Sequence, residues 1–111
     1  MKRNKNLPLT ETTYYVLLAL IEPAHGYLIM QKVEEMSDGD VRIAAGTMYG
    51  AIENLLKQKW IKSVPGEDSR RKVYIITEAG REIVELETNR LTKLLSTAKL
   101  IGFKGENYDE I

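Results

Sequence analysis

The chain has 111 residues, of which 43% are apolar and 29% are charged, and its formal net charge is zero. This length supports one hydrophobic core, and the composition is that of a globular domain rather than a disordered or fibrous chain. Cysteine is absent, which excludes disulfides, thiolate metal sites and cysteine nucleophiles. No apolar run reaches the ~20 residues that a membrane span requires, and we therefore expect a cytoplasmic protein without membrane contact.

The charges are unevenly distributed along the chain. Residues 1–9 carry +3, residues 34–40 carry −4, and residues 104–111 carry −2. A further net charge of +4 is concentrated between Lys57 and Lys72. Contact with an anionic polymer would therefore be confined to two basic segments.

The first half of the chain predicts two helices. We interpret residues 1–9 as a basic, mobile N-terminal arm and Thr10 as the N-cap of a helix that ends near Ile21. After the link EPAHG, a second helix is predicted over Tyr27–Met36. Val41–Ile43 is expected to add one short extended segment. The predicted buried faces consist of Tyr14, Leu17, Leu18 and Ile21 in the first helix and of Ile29, Val33 and Met36 in the second.

The stretch from Ala44 to Trp60 predicts a third helix with one buried stripe. That stripe consists of Met48, Ile52, Leu55 and Leu56. The opposite face carries small or amide residues with almost no charge, namely Thr47, Gly50, Ala51, Asn54 and Gln58. Such a face can lie close against another molecule, and beside a basic hairpin it suggests DNA. An ordinary amphipathic surface helix is the open alternative.

The second half predicts a β-hairpin and a terminal helix. Strand-like residues 61–64 and 73–76 flank the tip PGEDSRRK, and Thr77 is placed to cap a helix over roughly 77–101. Three helices followed by a hairpin is the order of a winged helix-turn-helix, an α+β fold that is mostly α. The predicted units are the arm (1–9), the winged-helix domain (10–76), a C-terminal dimerisation helix (77–103) and an acidic tail (104–111).

The terminal helix carries apolar residues that a complete winged helix does not need. We expect this stripe to pair with a second copy of the chain. Its predicted dimerisation residues are Leu91, Leu94, Leu95 and Ala98. The alternative is that the helix folds back on its own domain.

The candidate DNA contacts are Thr47, Tyr49, Asn54, Arg70, Arg71 and Lys72. The hydroxyls of Thr47 and Tyr49 can donate to phosphates, whereas Asn54 has the chemistry to pair with adenine. The cations at the hairpin tip match phosphates or a minor groove. The alternatives are that Thr47 caps its helix, that Tyr49 packs inward, and that the tip is a solvated loop. The single histidine, His25, is interpreted as a turn or packing residue, and Trp60 as a lid on the core.

Three motifs resemble the PadR-like winged-helix transcriptional regulators over roughly residues 9–85. They are HGY at 25–27, GTMY at 46–49 and RRKVYIITEAGRE at 70–82, and the single terminal helix resembles the compact subfamily. The resemblance implies a homodimeric regulator, usually a repressor, that binds a double-stranded DNA operator. It also implies that small aromatic or amphipathic compounds relieve repression.

The sequence departs from that family at three places in the predicted third helix and in its effector region. Ala45 and Gly50 stand where prolines are common, and Lys59-Trp60 stands where a glycine-containing turn is usual. Residues 77–101 contain no aromatic side chain. We therefore expect any small effector to be apolar and weakly bound, or no effector to exist.

Catalysis is not predicted. The chain shows no phosphate-binding glycine loop, no metal-ligand spacing and no nucleophile motif, and neither a cofactor nor a metal is expected. The competing function is a winged-helix module that binds other proteins and not DNA, which the zero net charge permits.

Overall fold

The computed structural model describes residues 4–66 and 71–105. The elements, in chain order, are α1 (Glu11–Ala19), β1 (Ala24–His25), α2 (Gly26–Met36), α3 (Ala45–Lys57), β2 (Ile61–Val64), β3 (Val73–Ile76) and α4 (Glu78–Ile101). The predicted order of three helices, a hairpin and a terminal helix is therefore confirmed. Within the described ranges, no helix is long and apolar enough to cross a membrane.

The helix starts follow from local side-chain chemistry. Thr10 Oγ1 accepts a hydrogen bond of 3.1 Å from the Thr13 N–H, and Thr77 Oγ1 accepts one of 3.1 Å from the Gly80 N–H. Both residues satisfy backbone donors that the first turn leaves without partners, as predicted. α2 begins at Gly26, one residue earlier than predicted, with His25 as its N-cap.

The sheet contains a strand that the sequence analysis missed. β1 pairs antiparallel with β3, with Ala24 opposite Tyr74 and His25 opposite Val73, so β3 lies between β1 and β2. The extended segment predicted at Val41–Ile43 is not a strand. Its first N–H donates to the Ser37 hydroxyl at 2.9 Å, and the free edge of β3 is already occupied by β1. The third strand therefore comes from the link EPAHG, for which no strand was predicted.

The core lies between the first three helices and the sheet. Its buried side chains include Leu17 and Leu20 of the α1 region, Ile29 and Val33 of α2, Met48, Ile52 and Leu55 of α3, and Ile61, Tyr74 and Ile76 of the sheet. Trp60, predicted as a lid, is buried against this cluster. Three predicted core residues, Ile21, Met36 and Leu56, are exposed. Each lies in or beyond the last turn of its helix, where the apolar repeat continues but the core has ended.

The junction between α3 and α4 is tightly built. α3 ends at Lys57, earlier than predicted, because Lys59 adopts a left-handed conformation with φ of 64°. The Thr77 hydroxyl donates to the Lys59 carbonyl at 2.7 Å, and the Thr77 N–H donates to the Trp60 carbonyl at 2.9 Å. A Cβ atom on Gly80 would lie 2.1 Å from the Trp60 carbonyl oxygen. Only glycine therefore allows the first turn of α4 to approach this closely.

The N-terminal segment is held more firmly than predicted. Leu7 and Leu9 are half-buried against the core, and the Leu9 N–H donates to the Glu87 carboxylate at 2.8 Å. Leu7 and Leu9, which were predicted to belong to the mobile arm (1–9), are therefore packed against the domain. Residues 1–3 of that arm and residues 106–111 of the predicted acidic tail lie outside the described residues.

The two halves of α4 differ in their surroundings. The first half packs beside α1, where Ile83 and Glu87 are buried and Tyr14 shares a hydrogen bond of 2.7 Å with Thr88. From residue 91 to residue 97 every side chain is exposed. The second half of the helix therefore does not fold back on its own domain, which was the alternative.

Candidate nucleic-acid interface

The small-residue face of α3 is open to solvent. Thr47 and Asn54 are exposed, and a Cβ atom built on Gly46 or Gly50 would meet nothing within 4 Å. The N-cap of α3 is Ala44, which makes no side-chain capping bond, and Thr47 lies inside the helix. The alternative in which Thr47 caps its helix is therefore wrong. The face leaves backbone and amide groups accessible to a closely approaching molecule.

Tyr49 lies at the surface between α3 and α2. Its side chain is 61% exposed, which excludes the alternative in which it packs inward beside Ile52. A Cβ atom on Gly26 would lie 3.6 Å from Tyr49 Cε1 and 3.7 Å from its hydroxyl oxygen, which is ordinary contact. The ring therefore rests against the first turn of α2, and the hydroxyl is presented beside that turn.

Tyr49 borders a hollow of about 510 Å³, which we call the α2 hollow. It is lined by His25, Gly26, Tyr27, Tyr49, Arg71, Lys72 and Tyr74. Arg71 Nη1 lies 3.4 Å from His25 Nε2, so the wing side chain reaches the start of α2. The hollow therefore brings together residues from α2, α3 and the hairpin.

His25 and Tyr27 were not among the predicted DNA contacts. The signal that could have found them is the HGY motif, which lies at the same helix start as the hollow. The missing step was the β1–β3 pairing, because it is this pairing that sets His25 opposite Val73, two residues beyond Arg71.

The hairpin has a second hollow near its tip, of about 490 Å³. It is lined by Ser63, Val64, Pro65, Gly66, Arg71 and Lys72. Arg71 and Lys72 are exposed and border both hollows. Arg70, the third predicted wing contact, lies outside the described residues. Two of the three predicted wing cations thus stand beside Tyr49 of α3.

Negative charge lies at the far end of α2. The acidic run of residues 34–40 begins in the last turn of that helix, and only Glu34 among its carboxylates has a described ion pair, at 2.8 Å to Arg42. α2 has 11 residues, which separates its two ends by about 16 Å. The basic hollow and the acidic run therefore occupy opposite ends of one helix.

The distal part of α4 presents a separate apolar surface. Leu91, Leu94 and Leu95 are 41–53% exposed, and Ala98 is half-buried. A hollow of about 440 Å³ lies here, lined by Arg90, Lys93, Leu94, Thr97, Ala98, Ile101 and Phe103. Phe103 supplies an aromatic ring just beyond the aromatic-free helix.

Three core helices, the third of which has an open face, are followed by a two-stranded wing. This arrangement defines a winged helix-turn-helix protein. The model of the transcriptional regulator PadR-like family matches residues 16–86. The chain belongs to the PadR-like family, whose members are transcriptional regulators and not enzymes.

The chain is also similar to solved structures and to a curated relative. The chain is 27% identical to a PadR family transcriptional regulator from Eggerthella lenta, with 81% of this chain and 80% of that chain covered and a TM-score of 0.63. It superposes on a PadR-like regulator from Bacillus cereus at 21% identity, with 88% and 96% covered and a TM-score of 0.67, which supports the fold. It is also 34% identical over 80 residues to an uncharacterised 37.1 kDa protein in transposon Tn4556 of Streptomyces fradiae. That match covers 71% of this chain and 22% of the relative, so the chain spans about a fifth of that protein's length.

Proposed function

We propose that the protein binds a pseudo-palindromic DNA operator as a homodimer in the cytoplasm and represses transcription there. The observation that carries this proposal is the α2 hollow, which brings Tyr49 of α3 together with the exposed wing cations Arg71 and Lys72. An uncharged face with amide groups can enter a major groove, while cations beside it neutralise the flanking phosphates. Thr47, Tyr49 and Asn54 are the proposed contacts of α3.

The proposed dimer forms through the distal half of α4. Leu91, Leu94, Leu95 and Ala98 form an apolar stripe that is largely exposed in the single chain. A second copy of the same helix buries this stripe with the closed two-fold symmetry that most soluble oligomers have. Two-fold symmetry then places two α3 helices on one duplex.

A small apolar or aromatic effector would bind at the 440 Å³ hollow on distal α4. The hollow lies on the stripe that is proposed to make the dimer, because Leu94 and Ala98 belong to both. An occupant there would change how the two copies meet and would release the operator.

The decisive experiment selects bound duplexes from a random pool with the full chain, followed by binding at several salt concentrations. We expect a pseudo-palindrome whose half-sites are about one helical turn, ~34 Å, or a small multiple of it apart. Affinity should fall steeply with salt. Absence of any specific complex at every ionic strength would favour the competing function, a protein-binding module. Transcription from a reporter that carries the selected site distinguishes repression from activation.

A further inference from the structure

The two ring nitrogens of His25 have different partners. Nδ1 accepts a hydrogen bond of 3.3 Å from the Leu28 N–H, which is how His25 caps α2. An imidazole nitrogen that accepts carries no proton, so the neutral ring has its N–H at Nε2. Nε2 is therefore a donor, and it points away from the helix that Nδ1 caps.

The group that faces this donor is another donor. Arg71 Nη1 lies 3.4 Å from His25 Nε2, and a guanidinium has five N–H groups and no acceptor. Two donors at this distance cannot satisfy each other, whereas one oxygen atom placed beside both can accept from each. Among the described residues no acceptor is placed beside both groups, and an oxygen atom of a bound molecule would complete the geometry of the pair.

The surroundings indicate which acceptor fits. The α2 hollow is bordered by the cations Arg71 and Lys72 and by the exposed phenols Tyr27 and Tyr49, and its described lining contains no carboxylate. Donors of this kind, with a net positive charge, match the oxygens of a phosphate group, which accepts several hydrogen bonds at once. Tyr49, one of the proposed α3 contacts with DNA, also borders the hollow.

We propose that His25 Nε2–H and the Arg71 guanidinium together bind one phosphate of the DNA backbone. This inference rests on the proposed DNA-binding function and assigns His25 a role in addition to capping α2. The two roles use different nitrogen atoms of the same ring. The same chemistry would fit a free inorganic phosphate, and the experiment separates the two sources.

Two substitutions divide the roles of His25. In His25→Asn the side-chain oxygen can replace Nδ1 and cap α2, but no group reaches the position of Nε2. In His25→Gln the amide can place an N–H near the position of Nε2, but the local cap is weakened. We expect His25→Asn to unfold at the wild-type temperature and to bind the operator on the order of tenfold more weakly per half-site. His25→Gln should be less stable yet should recover most of the affinity.

Salt dependence distinguishes this contact from a charge effect. A hydrogen bond from a neutral donor to a phosphate releases no counterion, so His25→Asn should lower affinity without changing the slope of log affinity against log salt. Thr10→Asn, the same kind of cap exchange on α1, is the matched control and should leave operator affinity unchanged. If His25→Asn binds as tightly as the wild type, His25 is only a cap and the inference is wrong.

A backbone scan identifies the phosphate itself. Each half-site phosphate is replaced in turn by a neutral methylphosphonate, and wild type and His25→Asn are compared. At the phosphate that His25 contacts, the methylphosphonate should reduce the operator affinity of the wild type but should reduce that of His25→Asn only slightly. If the methylphosphonate instead reduces both affinities by the same factor at every position, the inference is overturned. Inorganic phosphate is then titrated into the free protein at constant ionic strength. Submillimolar binding that His25→Asn abolishes, together with additive losses in the scan, would assign the site to free phosphate instead.

The experiments distinguish a failure of the proposed DNA-binding function from a failure of the His25 inference. If the wild type forms no specific complex at any salt concentration, the proposed function fails before the variants are compared. If the wild type binds its operator and only the His25 results are negative, the regulator proposal stands and this inference alone is rejected.

Discussion

The Glu87 carboxylate, in the middle of α4, accepts a hydrogen bond of 2.8 Å from the backbone N–H of Leu9, which precedes α1. Glu87 is 2% exposed and also pairs with Arg90 one turn further along α4. The hydrogen bond to Glu87 raises the pKa of Arg90 above its ordinary value, with burial acting in the opposite direction. A buried carboxylate thus connects the N-terminal segment to the helix that is proposed to make the dimer.

Removing this carboxylate should destabilise the domain. Glu87→Ala leaves the Leu9 N–H without its acceptor, and hydrogen bonds to charged groups contribute about 1.5–3 kcal/mol. We expect a decrease of that size in the free energy of unfolding, measured by urea denaturation with the fluorescence of the single tryptophan, Trp60. Glu85→Ala, an exposed acid on the same helix, is the control. Equal decreases in the two variants would show that the Leu9 contact contributes nothing.

Gly80 should not tolerate a methyl group. The added Cβ would overlap the Trp60 carbonyl oxygen at 2.1 Å and Ile76 Cγ1 at 2.7 Å, so α4 would have to move. Overpacking of this kind costs about 1–3 kcal/mol, and Gly80→Ala should lower the midpoint of thermal unfolding accordingly. Gly50→Ala has free space and should instead stabilise α3 by about 0.5–1 kcal/mol. The test is that Gly80→Ala lowers stability and Gly50→Ala raises it. A Gly80→Ala protein with the stability of the wild type would contradict the close approach of α4 to Trp60.

Replacing Lys59 by glycine should stabilise the protein. Its φ of 64° costs an ordinary residue about 1–2 kcal/mol, and glycine relieves this but loses about 0.5–1 kcal/mol more backbone entropy on folding. We expect Lys59→Gly to raise the free energy of unfolding slightly. Lys57→Gly removes the same charge from within α3 and should lower it by a similar amount. Destabilisation by both would indicate that the left-handed turn is not strained.

These junctions show what sequence patterns could and could not predict. Thr10 and Thr77 were identified as caps because an N-cap depends on neighbouring residues only. β1 was missed because two residues carry no periodicity, and their strand character exists only through Tyr74 and its neighbours, about 50 residues away. The contact of Arg71 with His25 depends on that same pairing. Local chemistry was therefore visible in the sequence, whereas half of the candidate site depends on pairing between distant residues.

The proposed dimer can be tested by one charge. Leu94→Glu would place a carboxylate without a partner in the buried seam, at a cost of about 3–5 kcal/mol, and sedimentation should then show monomers. Operator affinity should fall with it, because a monomer grips one half-site. Ser96→Glu, on the other side of the same exposed segment, should remain dimeric. A dimeric Leu94→Glu protein at micromolar concentration would exclude this helix as the interface.

The two kinds of DNA contact should respond differently to substitution. Arg71→Ala or Lys72→Ala should weaken all duplexes about equally and reduce the salt slope by ~0.9 for each phosphate that the variant no longer neutralises. Asn54→Ala should cost ~1–3 kcal/mol on the selected site and hardly affect random DNA. Lys99→Ala, in the last turn of α4, controls for the removal of one charge. If Arg71→Ala relaxes base preference and Asn54→Ala does not, the wing reads the sequence and α3 only positions the protein.

The charge separation along α2 has a consequence for how the protein approaches its target. Acidic residues at a helix C-terminus oppose the helix dipole, so the run from Glu34 to Asp40 lowers the stability of α2. The same arrangement places the cations of the α2 hollow and the acidic run at opposite ends of α2. In the proposed complex, the field of a duplex would attract the hollow and repel the acidic end, which would turn the wing toward the phosphates. The proposed regulator would thus be oriented during diffusion without the net positive charge that would hold it on every stretch of DNA.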